Sequence, residues 1–188
     1  MSVTHSSMIP LGTKIPCLLL SDTNEIKYQL DKGGFNGYIF AFICNHCPYV
    51  INIKEKMSQI LNDALKKDFS VFAINSNDSN EYPLDSIQMM KKDITEYNYK
   101  FPYLVDKDQD VAKKFQAVCT PEFYIFNNKK ILVYRGRFDD SSPGNNKFVS
   151  GNDIKKVINC INQNKPISGG QFPSMGCSIK WKEGNKPN

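Results

Sequence analysis

Residues 38–43, Tyr-Ile-Phe-Ala-Phe-Ile, form an apolar run that feeds directly into Cys44-Asn45-His46-Cys47-Pro48. An unbroken apolar, β-prone run of this length reads as a central strand buried on both faces. Behind it, Val50, Ile53, Met57, Ile60, Leu61 and Leu65 recur near helical spacing and predict an amphipathic helix over 50–67. A buried strand, a tight Cys-x-x-Cys turn and a helix in immediate succession leave few folds open. The two cysteines have three readings on their own: a redox couple, half of a zinc site, or two small core residues.

The rest of the chain alternates in the same way. EIKYQL (25–30) alternates and predicts a short strand, and Gly33-Gly34 then breaks the chain. SVFAIN (70–75) predicts a strand, 76–83 a loop, 84–98 a helix, 101–106 a short strand and 108–115 a short helix. Residues 123–126 and 131–136, joined by Asn-Asn-Lys-Lys, predict a β-hairpin. A final helix is expected over 152–164, capped by Gly151 or Asn152, with Cys160 in its core row. Residues 165–188, rich in Gly, Pro and Lys, show no periodicity and either wrap the domain or hang loose. The order argues an α/β fold, a central sheet flanked by helices, in one domain over 1–166 with a tail over 167–188 packing on it.

At 188 residues the chain can bury one core. Its 24 Lys and Arg against 19 Asp and Glu leave a net charge of +5, scattered in pairs, so no nucleic-acid partner is expected. No apolar run is long enough to span a bilayer, so no membrane partner is expected. The first residues lack a charged segment followed by a long apolar one, which makes the cytoplasm the expected location. Six cysteines without an export signal favour catalytic or metal use of a special pair and plain burial of the others.

A thiolate is the reactive form of cysteine, and a helix N-terminus stabilises it. Cys44 and Cys47, about one turn apart at a strand–helix junction, can close a disulfide there. His46 between them can donate a hydrogen bond or a charge to Cys44, lowering its pKa, or can simply be exposed. Pro48 fits N1 if Cys47 is the N-cap and costs a hydrogen bond if Cys44 is. Cys44 is expected to be the more exposed thiol. Further on, Cys119-Thr120-Pro121-Glu122 opens an apolar strand, and Pro121 marks its first residue or a tight turn, with a Thr-Pro bond that can be cis.

Taken together, FICNHCPYV, INSNDSNEYP, FPYLVD, CTPEFYIF, LVYRGRFDD, SPGN, FVSG and PSMGCSIKWKEGN resemble the thioredoxin-like superfamily. More closely they resemble the alkyl hydroperoxide reductase/thiol-specific antioxidant (redoxin) family, from about residue 10 to the C-terminus. The resemblance implies a thioredoxin-like, peroxiredoxin-like fold with an insertion over 76–117. It implies Cys44 as nucleophile, Cys47 as resolving thiol, Pro121 as the cis-proline facing them, and Thr120 as the residue whose backbone pairs with an incoming substrate. The chain also departs from its relatives. Ile43, rather than Trp, precedes the first cysteine, and Asn45-His46 replace Gly-Pro. Tyr38 stands where thioredoxins bury an Asp, so a substitute proton acceptor is needed, for which Glu122 is the candidate. The Thr that peroxiredoxins place before their reactive cysteine is missing. Arg135 or Arg137 can face an anion or peroxide, or lie on the surface. Cys119, two residues before Pro121, and Cys177 in the tail can form a second disulfide, relay electrons to the first, or be unremarkable thiols; Ile179 and Trp181 can anchor the tail.

Three functions follow. The first is a thiol–disulfide oxidoreductase, with no cofactor beyond the redox-active Cys44–Cys47 pair. Its partners are a disulfide- or thiol-containing protein or small molecule and an unspecified reductant. The second is a thiol peroxidase. The third is a non-catalytic metal-binding protein using His46 and cysteines from among Cys44, Cys47, Cys119 and Cys177. The sequence does not specify an oligomeric state.

Overall fold

A computed structural model describes residues 3–30 and 33–187, so Met1 and Asn188, the ends of the expected domain and tail, lie outside it. Its elements run β1 (Val3–His5), β2 (Leu19–Asp22), β3 (Lys27–Gln29), β4 (Gly37–Phe42), α1 (Pro48–Leu65) and β5 (Phe69–Asn75). A 3-10 turn (Pro83–Asp85) leads into α2 (Ile87–Glu96), β6 (Tyr103–Val105), α3 (Asp110–Phe115), β7 (Cys119–Thr120), β8 (Glu122–Asn127), β9 (Leu132–Gly136), α4 (Asn152–Asn162) and β10 (Met175–Ser178).

Seven strands form a mixed sheet in the order β3-β2-β6-β5-β4-β8-β9. β4 lies parallel to β5 and antiparallel to β8, with Phe42 opposite Glu122. All six residues of β4 are buried because both faces are covered. On one face Ile39, Ala41 and Ile43 pack with Val50, Met57 and Leu61 of α1, Met90 of α2 and Ile154, Val157 and Ile158 of α4. On the other, Tyr38, Phe40 and Phe42 pack with Val111, Ala112 and Phe115 of α3. The odd and even positions of one strand thus feed two cores.

The predicted helix over 84–98 is a 3-10 turn followed by a shorter α2, because Ser86 takes an extended conformation between them. Cys160, expected in the core row of the last helix, is only half-buried; that row is Ile154, Val157 and Ile158. The larger difference lies in the tail. β10 is a strand, sandwiched antiparallel between β1 and β7 in a separate three-stranded sheet. Ile179 is buried and Trp181 packs against the α3-side core, so the tail is anchored beyond β10 as well.

Candidate active site

β4 delivers Cys44 at its carboxyl end, and Cys47 is the N-cap of α1, extended at φ −69° and ψ 123°, with Pro48 at the first helical position. Proline is suited there because its missing N–H would have no intrahelical acceptor. The intervening turn is pinned from three elements. The Tyr103 hydroxyl of β6 donates to Asn45 Oδ1 at 2.9 Å, and Lys54 Nζ of α1 donates to the Asn45 carbonyl at 3.0 Å. Asp85 of the 3-10 turn accepts the Asn45 N–H at 2.7 Å. Lys54 is buried and paired with Asp93 at 2.5 Å.

His46 does not turn its hydrogen bond to Cys44. Its Nδ1 lies 2.7 Å from Asp85 Oδ2, and its ring stacks on Tyr82. Asp85 also accepts from Asn77 Nδ2 at 2.8 Å. Burial pushes the Asp85 carboxyl up, but the hydrogen bonds from His46, Asn77 and Asn45 outweigh it and hold it below the ordinary carboxylate range. This buried carboxylate is the competitor that draws the imidazole away from Cys44.

Both thiols are buried, Cys44 at 1% exposure and Cys47 at 0%, so the expected exposure of Cys44 is not found. The segment Cys119–Pro121 covers them. Its Thr120–Pro121 peptide is cis. Thr120 Oγ1 is 3.2 Å from Cys44 Sγ, and as a thiol Cys47 donates to the Thr120 carbonyl at 3.1 Å. The two cysteines titrate as a unit. Hydrogen bonding to Cys47, burial and the Asp85 charge push Cys44 well up. The hydrogen bond from Cys44 pulls Cys47 down to about 5; burial opposes this, while Cys177 and the Val50 N–H assist it. The acidic end of the couple is therefore the sulfur at the helix terminus, contrary to the expected lowering of Cys44.

Glu122, expected to accept a proton from the couple, faces the other way. It shares the α3-side of β8 with Tyr124, whereas Cys47 lies on the α1 side with Phe123 and Ile125. Its carboxylate accepts the Val118 N–H at 3.1 Å and approaches Cys119 Sγ at 3.8 Å. Burial raises it to about 7. Cys119 and Cys177 are not opposite one another: Cys177 pairs with Thr120, and Cys119 with Ser178. Since paired residues project to one side of a ladder, Cys177 follows the Thr120 side chain toward the couple and Cys119 points away. Arg135 donates to Gln171 at 2.8 Å and to the Met8 carbonyl at 3.1 Å, and Arg137 pairs with Asp153 at 2.8 Å, so neither arginine is turned to Cys44.

Among the described residues, Cys44, His46 and Asp85 bring ligand atoms within 4.8 Å of one another, a set able to hold a cation and different from the expected all-cysteine and histidine set. The sequence reading missed Asp85 and Lys54. Lys54 had a signal, since it occupies the buried row of α1 between Val50 and Met57. Asp85 had none, because its partners come from other segments.

A model described as the AhpC/TSA family matches residues 11–135. No curated protein matches the chain. Among solved structures, an uncharacterized conserved protein from Geobacillus kaustophilus is 41% identical over 97% of each chain, with a TM-score of 0.93. A hypothetical protein from Sinorhizobium meliloti is 37% identical over 96% of this chain and 100% of that one, with a TM-score of 0.94. The thioredoxin domain of a thiol-disulfide oxidoreductase from Bacteroides vulgatus is 14% identical over 80% of this chain and 99% of that one. Its TM-score of 0.60 is a likeness of fold.

Proposed function

Because the chain belongs to the AhpC/TSA family and has a thioredoxin-like fold, we propose that it is a thiol–disulfide oxidoreductase working through Cys44 and Cys47. The observation that carries this reading is the coupled, buried thiol pair at a helix N-terminus, with Cys47 held as the acidic member. A thiolate stabilised in this way favours exchange at sulfur.

In the reducing direction, Cys44 passes its proton to the Cys47 thiolate along the hydrogen bond between them as it attacks one sulfur of a substrate disulfide, and the sulfur that leaves takes up a proton from solvent. Cys47 then attacks the Cys44 sulfur of the mixed disulfide. The Cys44–Cys47 bond forms, the second substrate thiol is released, and two electrons have passed to the substrate. A groove of about 330 Å³ shares Pro121 with the segment that covers the couple and mixes apolar residues such as Tyr49 and Phe172 with polar ones such as Asp140 and Asn145. A peroxidase reading is disfavoured because Arg135 and Arg137 are both engaged elsewhere.

The test is turnover of a small-molecule disulfide with dithiothreitol as electron donor, combined with peptide mapping of the oxidised protein and metal analysis. The expected result is turnover that is lost in Cys44→Ser, and a Cys44–Cys47 bridge in the oxidised protein. Stoichiometric zinc with no bridge would replace this reading with a metal-binding one.

A further inference from the structure

The edge of β7 beside the couple is where an extended thiol-bearing segment would add as a strand, since its free ladder groups would supply the backbone hydrogen bonds. That edge is already filled by the chain's own β10, with Cys177 opposite Thr120. The fit is close. A Cβ on Gly176 would lie 2.0 Å from the Thr120 carbonyl oxygen and 3.2 Å from Pro121 Cδ. Thr120 is also the residue that touches both thiols, through its hydroxyl to Cys44 and its carbonyl to Cys47. Cys44, Cys47 and Cys177 therefore pack in one buried cluster. Cys47 is the middle sulfur, hydrogen-bonded to Cys44 on one side and to the Cys177 thiol and N–H on the other. Burial raises the Cys177 thiol to about 12, with the hydrogen bond to Cys47 adding to it, so Cys177 holds its proton until exchange begins.

We propose that Cys177 is a third redox thiol of this site, and that β10 is a built-in substrate strand whose sulfur exchanges with the couple through Cys47. In the oxidised protein, Cys177 attacks the Cys47 sulfur of the Cys44–Cys47 disulfide. The Cys47–Cys177 bond forms, the Cys44–Cys47 bond breaks, and the proton lost by Cys177 is taken up by the departing Cys44 sulfur. One disulfide replaces another with no net change in electrons, so no external oxidant is required. The oxidised state is then divided between a bridge within the turn and one that ties α1 to the tail and leaves Cys44 a free thiol. Cys119 is excluded from the exchange by register, because it stands opposite Ser178 with its sulfur toward Glu122.

The inference rests on the proposed Cys44–Cys47 couple, and two variants separate its failure from that of the couple. Full-length Cys44→Ser, equilibrated with oxidised glutathione at low protein concentration, alkylated and peptide-mapped, is expected to carry a Cys47–Cys177 bridge in most molecules. Cys177→Ser treated identically is expected to carry Cys44–Cys47. If Cys177→Ser forms its bridge while Cys44→Ser leaves Cys47 free, glutathionylated or joined to Cys119, the third-thiol role is overturned and the couple stands. If Cys177→Ser forms no bridge, the couple itself is wrong. Should either variant fail to fold, the same mapping of the wild-type protein decides: both bridges are expected, and Cys44–Cys47 alone overturns the inference.

Discussion

Glu122 has a carboxyl with almost no solvent contact, raised by burial to about 7, well above the ordinary value near 4.5. Below the ordinary value it is protonated in both folded and unfolded chains, and its contribution to stability is full. As the pH rises toward 7 the unfolded chain releases the proton first. The folded state binds more protons, and stability falls with pH across that window. At about 1.4 kcal/mol per unit, this one group destabilises the protein by about 3 kcal/mol at pH 7 and above, as an upper bound. Glu122→Gln is expected to remove most of that slope, and urea unfolding across the window checks it; a slope unchanged by the substitution would exclude Glu122 as its source. Glu122 was expected to serve the couple because it lies two residues beyond Thr120, where strand alternation would put it on the same face, but the face it occupies is set by how β8 meets β4. Cys44 and Cys47 were singled out by their spacing, and Thr120 and Pro121 by the family resemblance; the structure brings Thr120 against both thiols. Asp85 was not legible, since a buried carboxylate is defined by the donors around it, and here Asn45 and His46 come from the Cys-x-x-Cys turn and Asn77 from the loop after β5.

Among the elements, β4, α1, β5 and the β8–β9 hairpin were legible because each carries its own period over enough residues to register. β1, β7 and β10 are two to four residues long and pair only across large sequence separations, so no local pattern announces them. β10 in particular reads Met-Gly-Cys-Ser and gains its conformation from the ladder on both sides. That dependence makes it a sensitive element. Gly176→Ala would drive a Cβ into the backbone of Thr120, which cannot yield as a flexible side chain would. Overpacking of this kind costs about 1–3 kcal/mol. Because it falls on the contact between β10 and β7, it should promote local opening there more than global unfolding. The expected outcome is alkylation of reduced Cys47 and Cys177 accelerated by roughly ten- to hundredfold, at about tenfold per 1.4 kcal/mol. Cys160, half-buried on α4 away from this contact, serves as the internal control. Equal acceleration at all three cysteines would mean global destabilisation instead.

The seven-stranded sheet lies between two cores that share no side chains, and β4, β5, β6 and β8 each feed both of them. The α/β class and the sheet between helices followed from the sequence because an apolar run with no polar alternation has to be covered on both sides. Which helices cover which side did not follow, since that is decided by the handedness and length of connections and not by any one residue. The α3-side core is dominated by aromatic rings. Phe40 stacks on Phe72 at 5.5 Å and meets Phe115 at 4.9 Å and Phe126 edge-on at 5.7 Å, with no solvent exposure. Cys44 and Cys47 lie on the opposite face, with Ile39, Ala41 and Ile43. A cavity at Phe40 should therefore lower global stability without touching the site's hydrogen bonds. Phe40→Ala is expected to cost about 3–5 kcal/mol, the range for a buried Phe. Phe148→Ser, at a ring 81% exposed, should stay within about 0.5 kcal/mol. Denaturant unfolding measures both. Under conditions where Phe40→Ala remains folded, its Cys44–Cys47 reduction potential should match that of the wild type. A shifted potential would mean that the two cores are mechanically coupled through the sheet, and that strain on the aromatic face reaches the sulfur chemistry on the other.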